Sequence, residues 1–243
     1  NTPTYKYYID FASKYGVPYI IMDEGWAKTT REPFETTKEI DLPELIRYGK
    51  SKNVGIILWL PWTTVDAHID NIFAKYAEWG VKGVKIDFMD RQDQWMVNYY
   101  ERVVKEAAKH HILVDFHGAY KPSGLEIRYP NLLSYEGVRG LEYNDWVDPE
   151  NSIYQPFIRN AVGPMDFTPG AMSSAQPEHV KNTDPVPMTA GTRSYHMALF
   201  VAFESGIQML ADSPTRYYEN PECTEFITSV PVTWDETRVI DAK

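Results

Sequence analysis

Residues 81–88 read VKGVKIDF. The run is short, rich in valine and isoleucine, and ends on charge, with Lys85 and Asp87 two positions apart. Residues two apart in an extended strand project from one face, so the stretch predicts a buried strand that presents a cation and a carboxylate on the same side. Working outward, the pattern recurs: VPYIIMD (17–23) and VGIILWLPW (54–62) come before it, and HILVDFHG (111–118), NLLSYEG (131–137), PMDFTPG (164–170) and GIQMLA (206–211) after it. Between the runs lie helical patterns at 4–16, ending on Gly16, at 42–53 with Pro43 in its first turn, and at 67–79, stopping at Gly80. Residues 93–110 carry Trp95, Met96, Tyr99, Val103 and Ala107 on one stripe, and a more apolar helix is predicted over 192–205. Strands alternating with helices predict an α/β chain with a parallel sheet, in the rhythm of a (β/α)8 TIM barrel. Seven strands are counted and a helix comes first, so the expected barrel is truncated, without its first strand.

Composition narrows the function classes. The 243 residues include 24 Lys plus Arg and 34 Asp plus Glu, a net charge of −10, which argues against nucleic acid or an anionic membrane as partner. No apolar run approaches the length of a membrane span. The single cysteine, Cys223, excludes an internal disulfide framework and a multi-cysteine zinc site. Aromatic residues make up 14%, enough either for a large aromatic core or for surfaces that stack on sugar rings.

In a barrel of this kind chemistry gathers at the C-terminal ends of the strands. Those ends read Asp23-Glu24-Gly25-Trp26, then Trp59 and Trp62, Lys85 and Asp87, Asp115 and His117, Glu136, Asp166 and Asp212. One carboxylate alone reads as a salt bridge or a loop cap. Repetition from strand to strand reads as a reaction face, because unpaired buried charge is costly. A lysine beside Asp87 is expected to keep that carboxylate ionised, the state a nucleophile needs. For a second carboxylate, chemistry alone leaves Glu136, Glu142 and Asp145 open.

The stretch from Tyr5 to Trp26, followed by VKGVKIDFMDR, DFHGAYKP, NLLSYEGVRGLEYN, GPMDFTPG and VPVTWDET, resembles the catalytic barrel of glycoside hydrolase family 97, in one order over nearly the whole chain. That family comprises bacterial α-glucosidases and α-galactosidases, many from Bacteroidetes. The Lys-x-Asp pair and the Asp-Glu-Gly-Trp run also resemble the wider clan of retaining α-galactosidases. The resemblance implies a barrel between two β-domains, with residues 1–230 as the barrel lacking its first strand and 231–243 as the start of a C-terminal β-domain. It implies Asp87 as nucleophile and Glu142 as acid/base. Inverting members place a base glutamate where this chain has Gly118, so the retaining branch is implied. It further implies Ca²⁺ held by Glu136 and Glu142, with another ligand from an N-terminal domain and so weak or absent binding in this chain. Asp23, Glu24 and Trp26 are expected on the terminal sugar and Lys85 on one of its hydroxyls. His117, with Trp59 and Trp62, is expected in the pocket wall.

The implied activity is that of a retaining exo-acting α-galactosidase on oligosaccharides or small α-galactosides. The alternatives are an α-glucosidase of the same family, a non-catalytic sugar-binding barrel and an inactive fragment. No signal peptide opens the chain; a periplasmic or exported location in a Gram-negative bacterium is implied by the resemblance alone.

Overall fold

The computed structural model describes residues 1–143, 149–181 and 187–241. Helix α1 (Thr2–Tyr15) starts where the Asn1 side chain accepts the Thr4 amide at 3.0 Å, and it stops at Gly16, whose φ of 70° is cheap only for glycine. It lies against α2 (Leu42–Ser51), which is capped by Asp41 and joined to α1 by Lys6–Glu44 at 2.7 Å. Five parallel strands follow one another in sequence order across a single sheet: β1 (Tyr19–Met22), β2 (Gly55–Pro61), β3 (Gly83–Asp87), β4 (Leu113–Phe116) and β5 (Leu132–Tyr135). After β2 the predicted 67–79 helix is two, α3 (Trp62–Ala67) and α4 (Ile72–Trp79), and α5 (Gln94–Lys109) links β3 to β4. Leu58, Val84, Ile86, Val114 and Phe116 join Phe73, Tyr76, Tyr99 and Val103 in one buried cluster, which is how the helices cover the outer face of the sheet.

Register arranges the opposite face. Trp59 pairs with Lys85, Lys85 with Asp115, and Asp115 with Ser134, while Asp23 stands one residue past the Met22–Leu58 pair. These side chains form one row. Asp87 lies two residues further along β3, and His117 and Glu136 follow the Phe116–Tyr135 pair, forming a second row nearer the strand ends.

Two predicted strands are corrected. PMDFTPG meets β5, and GIQMLA runs from β5 to PMDFTPG, neither becoming a strand. Asp166 N donates to Tyr135 O (2.8 Å), Gly206 N to Leu133 O (3.3 Å) and Ala211 N to Pro169 O (3.0 Å). Pro164 and Pro169 have no amide to offer a ladder, which breaks the first of these segments at both ends. The sheet is therefore open among the described residues. A cleft of about 310 Å³ separates β1 from 206–210, with Tyr19, Ile21, Ile207 and Met209 among its walls. A separate parallel pair, β6 (Ser173–Ala175) and β7 (Met188–Ala190), lies outside this sheet.

Candidate active site

Lys85 and Asp115 of the inner row, with His117 of the outer row and Asp166, form a buried charge network that reaches the exposed Asp23. Lys85 Nζ donates to Asp23 Oδ2 at 2.6 Å, so the lysine's partner is Asp23 and not, as the sequence suggested, Asp87. His117 Nε2 meets Asp166 Oδ2 at 2.6 Å and lies 3.5 Å from Asp115 Oδ2. Burial opposes charge on Lys85, but Asp23, Asp115 and Asp166 outweigh it and raise its pKa. The same contest on His117, won by the Asp166 bond and then Asp115, lifts the imidazole to about 9. Burial first, then Asp166, raises the Asp115 carboxyl.

These shifts predict a stability slope. With a folded pKa near 9 against an ordinary 6.5, the imidazolium of His117 contributes fully below about pH 6.5, and the contribution is lost as pH rises toward 9. Asp115 acts in the same sense, since ionising it in the fold costs more than in the unfolded chain. The melting midpoint should fall by several degrees between pH 6.5 and 9, and His117→Gln should flatten the fall. A profile of the wild type that is level across this window contradicts the assignment.

In the outer row, Asp87 is held at both oxygens: Phe88 N donates to Oδ1 at 2.6 Å and Trp59 Nε1 to Oδ2 at 2.8 Å. The loop after it turns through left-handed φ values at Phe88 (61°) and Asp90 (34°). Gly118 makes this possible. Its carbonyl accepts Asp90 N at 2.8 Å, and a Cβ there would sit 3.1 Å from Phe88 Cα, Met89 N and Asp90 Oδ1. The Gly118 amide donates to Glu136 Oε2 at 2.8 Å. This glycine thus ties the loop behind Asp87 to the carboxylate of the next strand end.

Glu142 comes from a single 3-10 turn, Leu141–Tyr143. Leu141 N donates to Phe167 O at 3.0 Å, and Gly140 lies so close that a Cβ would be 2.4 Å from that oxygen. Glu142 lines the same cavity of about 420 Å³ as Asp23, Glu24, Lys85, Asp87 and His117. Glu136 sits behind that wall; burial raises its pKa and Glu142 and Asp87 add to the rise, against His117 and the Gly118 amide. Arg159, unnoticed in the sequence, is buried and donates to the carbonyls of Gly137, Tyr135, Glu136, Gly163 and Pro164, which fixes the chain after β5.

A family model described as glycoside hydrolase 97 matches residues 1–138, more than half of the chain. The chain belongs to glycoside hydrolase family 97. This family 97 chain is 47% identical, over 100% of its length, to the retaining alpha-galactosidase of Bacteroides thetaiotaomicron, of which it covers 38%. It superposes with a TM-score of 0.87 and 30% identity on a family 97 enzyme from Pseudoalteromonas sp. strain K8 solved in complex with acarbose, covering 100% of this chain and 42% of that one. A beta-arabinopyranosidase superposes with a TM-score of 0.82 and 28% identity, covering 99% and 41%. The chain therefore spans about two fifths of the length of these relatives.

Two tryptophans of the family 97 chain stand elsewhere than expected. Trp26 is 1% exposed; its indole donates to Trp59 O at 2.8 Å and its ring meets Tyr76 edge-on, so it braces Trp59 from behind and is not among the residues that line the cavity of Asp87. Trp62 packs on Trp95 and Tyr99 and is not among the residues that line the cavity of Asp87. Trp59, weighed only as a wall, holds the carboxylate of Asp87. Asp212 caps a turn, accepting Met172 N and Ser213 N, and Asp145 lies outside the described residues. Among the described residues, the one group of three possible metal ligands with donor atoms within 4.8 Å is Asp115, His117 and Asp166. Lys85 beside it already supplies the positive charge.

Proposed function

We propose that this chain carries the catalytic centre of a retaining exo-acting α-galactosidase. The observation that carries the reading is one cavity with an oriented carboxylate, Asp87, on a strand end and a second, Glu142, on a separate loop, above the buried Lys85 and His117 and beside the exposed Asp23. Asp87 attacks the anomeric carbon as the bond to the leaving oxygen breaks, and Glu142 gives that oxygen its proton. Glu142 then takes a proton from water, whose oxygen attacks the same carbon and releases Asp87. Two inversions restore the α-configuration, and the mechanism calls for the two carboxyl groups to stand roughly 5–5.5 Å apart with sugar bound. Asp23, Lys85 and His117 suit sugar hydroxyls: Asp23 accepts, while Lys85 and a protonated His117 donate.

The reading extends to the frame. In it, residues 1–230 are most of a (β/α)8 barrel and 231–243 lead into a C-terminal β-domain. The cleft beside β1 suits one further parallel strand, and the greater length of the relatives supports such a segment. No helix among the described residues is long and apolar enough to cross a membrane, and we place the protein in the periplasm or outside a Gram-negative cell.

Glu136 and Glu142 fit Ca²⁺ as hard oxygen donors, and the repulsion that Glu142 and Asp87 exert on Glu136 is what a divalent ion would relieve. When bound, calcium supplies positive charge beside the leaving oxygen. Exhaustive chelation should lower activity and Ca²⁺ restore it; full activity after chelation removes the ion from the proposal.

The reaction is tested by proton NMR of the first product together with rates on nitrophenyl α-galactoside, α-glucoside and β-L-arabinopyranoside. The last shares the ring hydroxyls of galactose without its C6 group, and the similarity to a beta-arabinopyranosidase makes it the comparison to beat. The α-galactoside should be fastest and α-galactose should form first. Initial β-galactose overturns the retaining mechanism, and a faster glucoside or arabinoside overturns the choice of sugar.

A further inference from the structure

We propose that Phe88 is a specificity-determining residue, its exposed ring the platform on which the leaving group of the glycoside rests, so that the centre favours aglycones with a flat apolar face. The inference rests on the reaction proposed above and adds the part of the substrate that the reaction discards.

Phe88 directly follows Asp87, and its backbone takes a φ of 61°, a costly conformation for a bulky side chain. The loop nevertheless turns Phe88 outward, 52% exposed, and its neighbour Met89 fully inward at 0%. A strained backbone that displays the larger apolar ring and buries the smaller side chain is not explained by core packing. The ring is also fixed in place. It meets Trp59 edge-on, with centroids 5.6 Å apart and planes at 83°, and that same Trp59 holds Asp87. The Asp90–Gly118 bond anchors the far side of the loop. The platform is thus set relative to the nucleophile through both backbone and side chain.

Depth assigns its ligand. Lys85 and His117 are 8% and 5% exposed at the floor of the cavity, whereas Phe88 lines the same cavity at its open edge. An exo-acting centre takes the terminal sugar onto the floor, so the bond that breaks points outward and the departing group leaves across the mouth. There, beside the exposed Glu142 that protonates the leaving oxygen, Phe88 offers the departing group an apolar ring. Ring faces of aryl groups, and the apolar face of a second sugar, stack on such a surface.

The test compares kcat/KM for nitrophenyl α-galactoside with that for α-galactosyl fluoride, whose leaving group cannot reach a platform. In the full chain, Phe88→Asn tolerates the left-handed backbone but removes the ring, and Phe88→Tyr keeps it. The aryl-to-fluoride ratio should fall about tenfold in Phe88→Asn and stay close to wild type in Phe88→Tyr. An unchanged ratio in Phe88→Asn overturns the proposal. Calorimetry on Asp87→Asn reads the platform without turnover: adding Phe88→Asn should weaken nitrophenyl α-galactoside about tenfold more than free galactose. Absence of turnover in the wild type overturns the reaction, whereas equal weakening of both ligands, or binding of neither, overturns the platform.

Discussion

Asp87→Gly should lose ~10⁴-fold or more of the turnover of nitrophenyl α-galactoside, and azide should restore part of it as β-galactosyl azide. The size follows from the role, since without the carboxylate there is no covalent intermediate and neither half of the reaction has a path. The stereochemistry follows from the site. Glycine opens the face of the sugar that Asp87 occupied, where Trp59 Nε1 and the residue 88 amide still offer donors for an anion. Azide entering there displaces the leaving group once, and one inversion of an α-glycoside yields the β-azide. The deletion leaves the Lys85–Asp23 pair intact, so the fold should hold. A variant with near wild-type turnover, or one whose added azide yields the α-azide, refutes Asp87 as nucleophile.

Glu142→Ala should separate substrates by leaving group. On an unactivated disaccharide the loss should reach roughly 10²–10⁴-fold, the usual reach of a positioned general acid. With dinitrophenyl α-galactoside, whose oxygen leaves without a proton, the first step should proceed and the glycosyl-enzyme accumulate. Azide should then release it as α-galactosyl azide, the opposite anomer to that from Asp87→Gly, because two inversions have occurred. A uniform loss across leaving groups would reduce Glu142 to a binding or calcium-holding residue. Glu142 stands on a 3-10 turn held by Leu141 and the close approach of Gly140 to Phe167, so truncating its exposed side chain should leave that turn in place.

Much of this architecture is written locally. The apolar runs at 17–23, 54–62, 81–88, 111–118 and 131–137 each became a strand of the sheet, and Gly16, Pro43 and Gly80 mark helix ends where the residues themselves restrict the backbone. The period of two placed Lys85 and Asp87 on one face. The strand-end carboxylates Asp23 and Asp87 and the loop glutamate Glu142 do share a cavity, and family 97 membership was legible in motifs that span the chain.

What pairs with what was not legible. Lys85 chose Asp23, 62 positions away, because the registers of β1 on β2 and β2 on β3 set those two side chains in one row, while Asp87 stands a row further out. Trp26 and Trp59 are alike as sequence, yet one supports the other and only Trp59 donates to Asp87. PMDFTPG has the apolar look of a strand but carries prolines at 164 and 169, where a ladder needs amides. Gly118 matters through the loop that lies on it, and Arg159 through five carbonyls gathered from 135–137 and 163–164. The sequence by itself determined periodicity, caps and chemical types, which depend on neighbours along the chain. Only the tertiary structure decided partners and depth, because strand register and loop packing join residues that no local pattern relates.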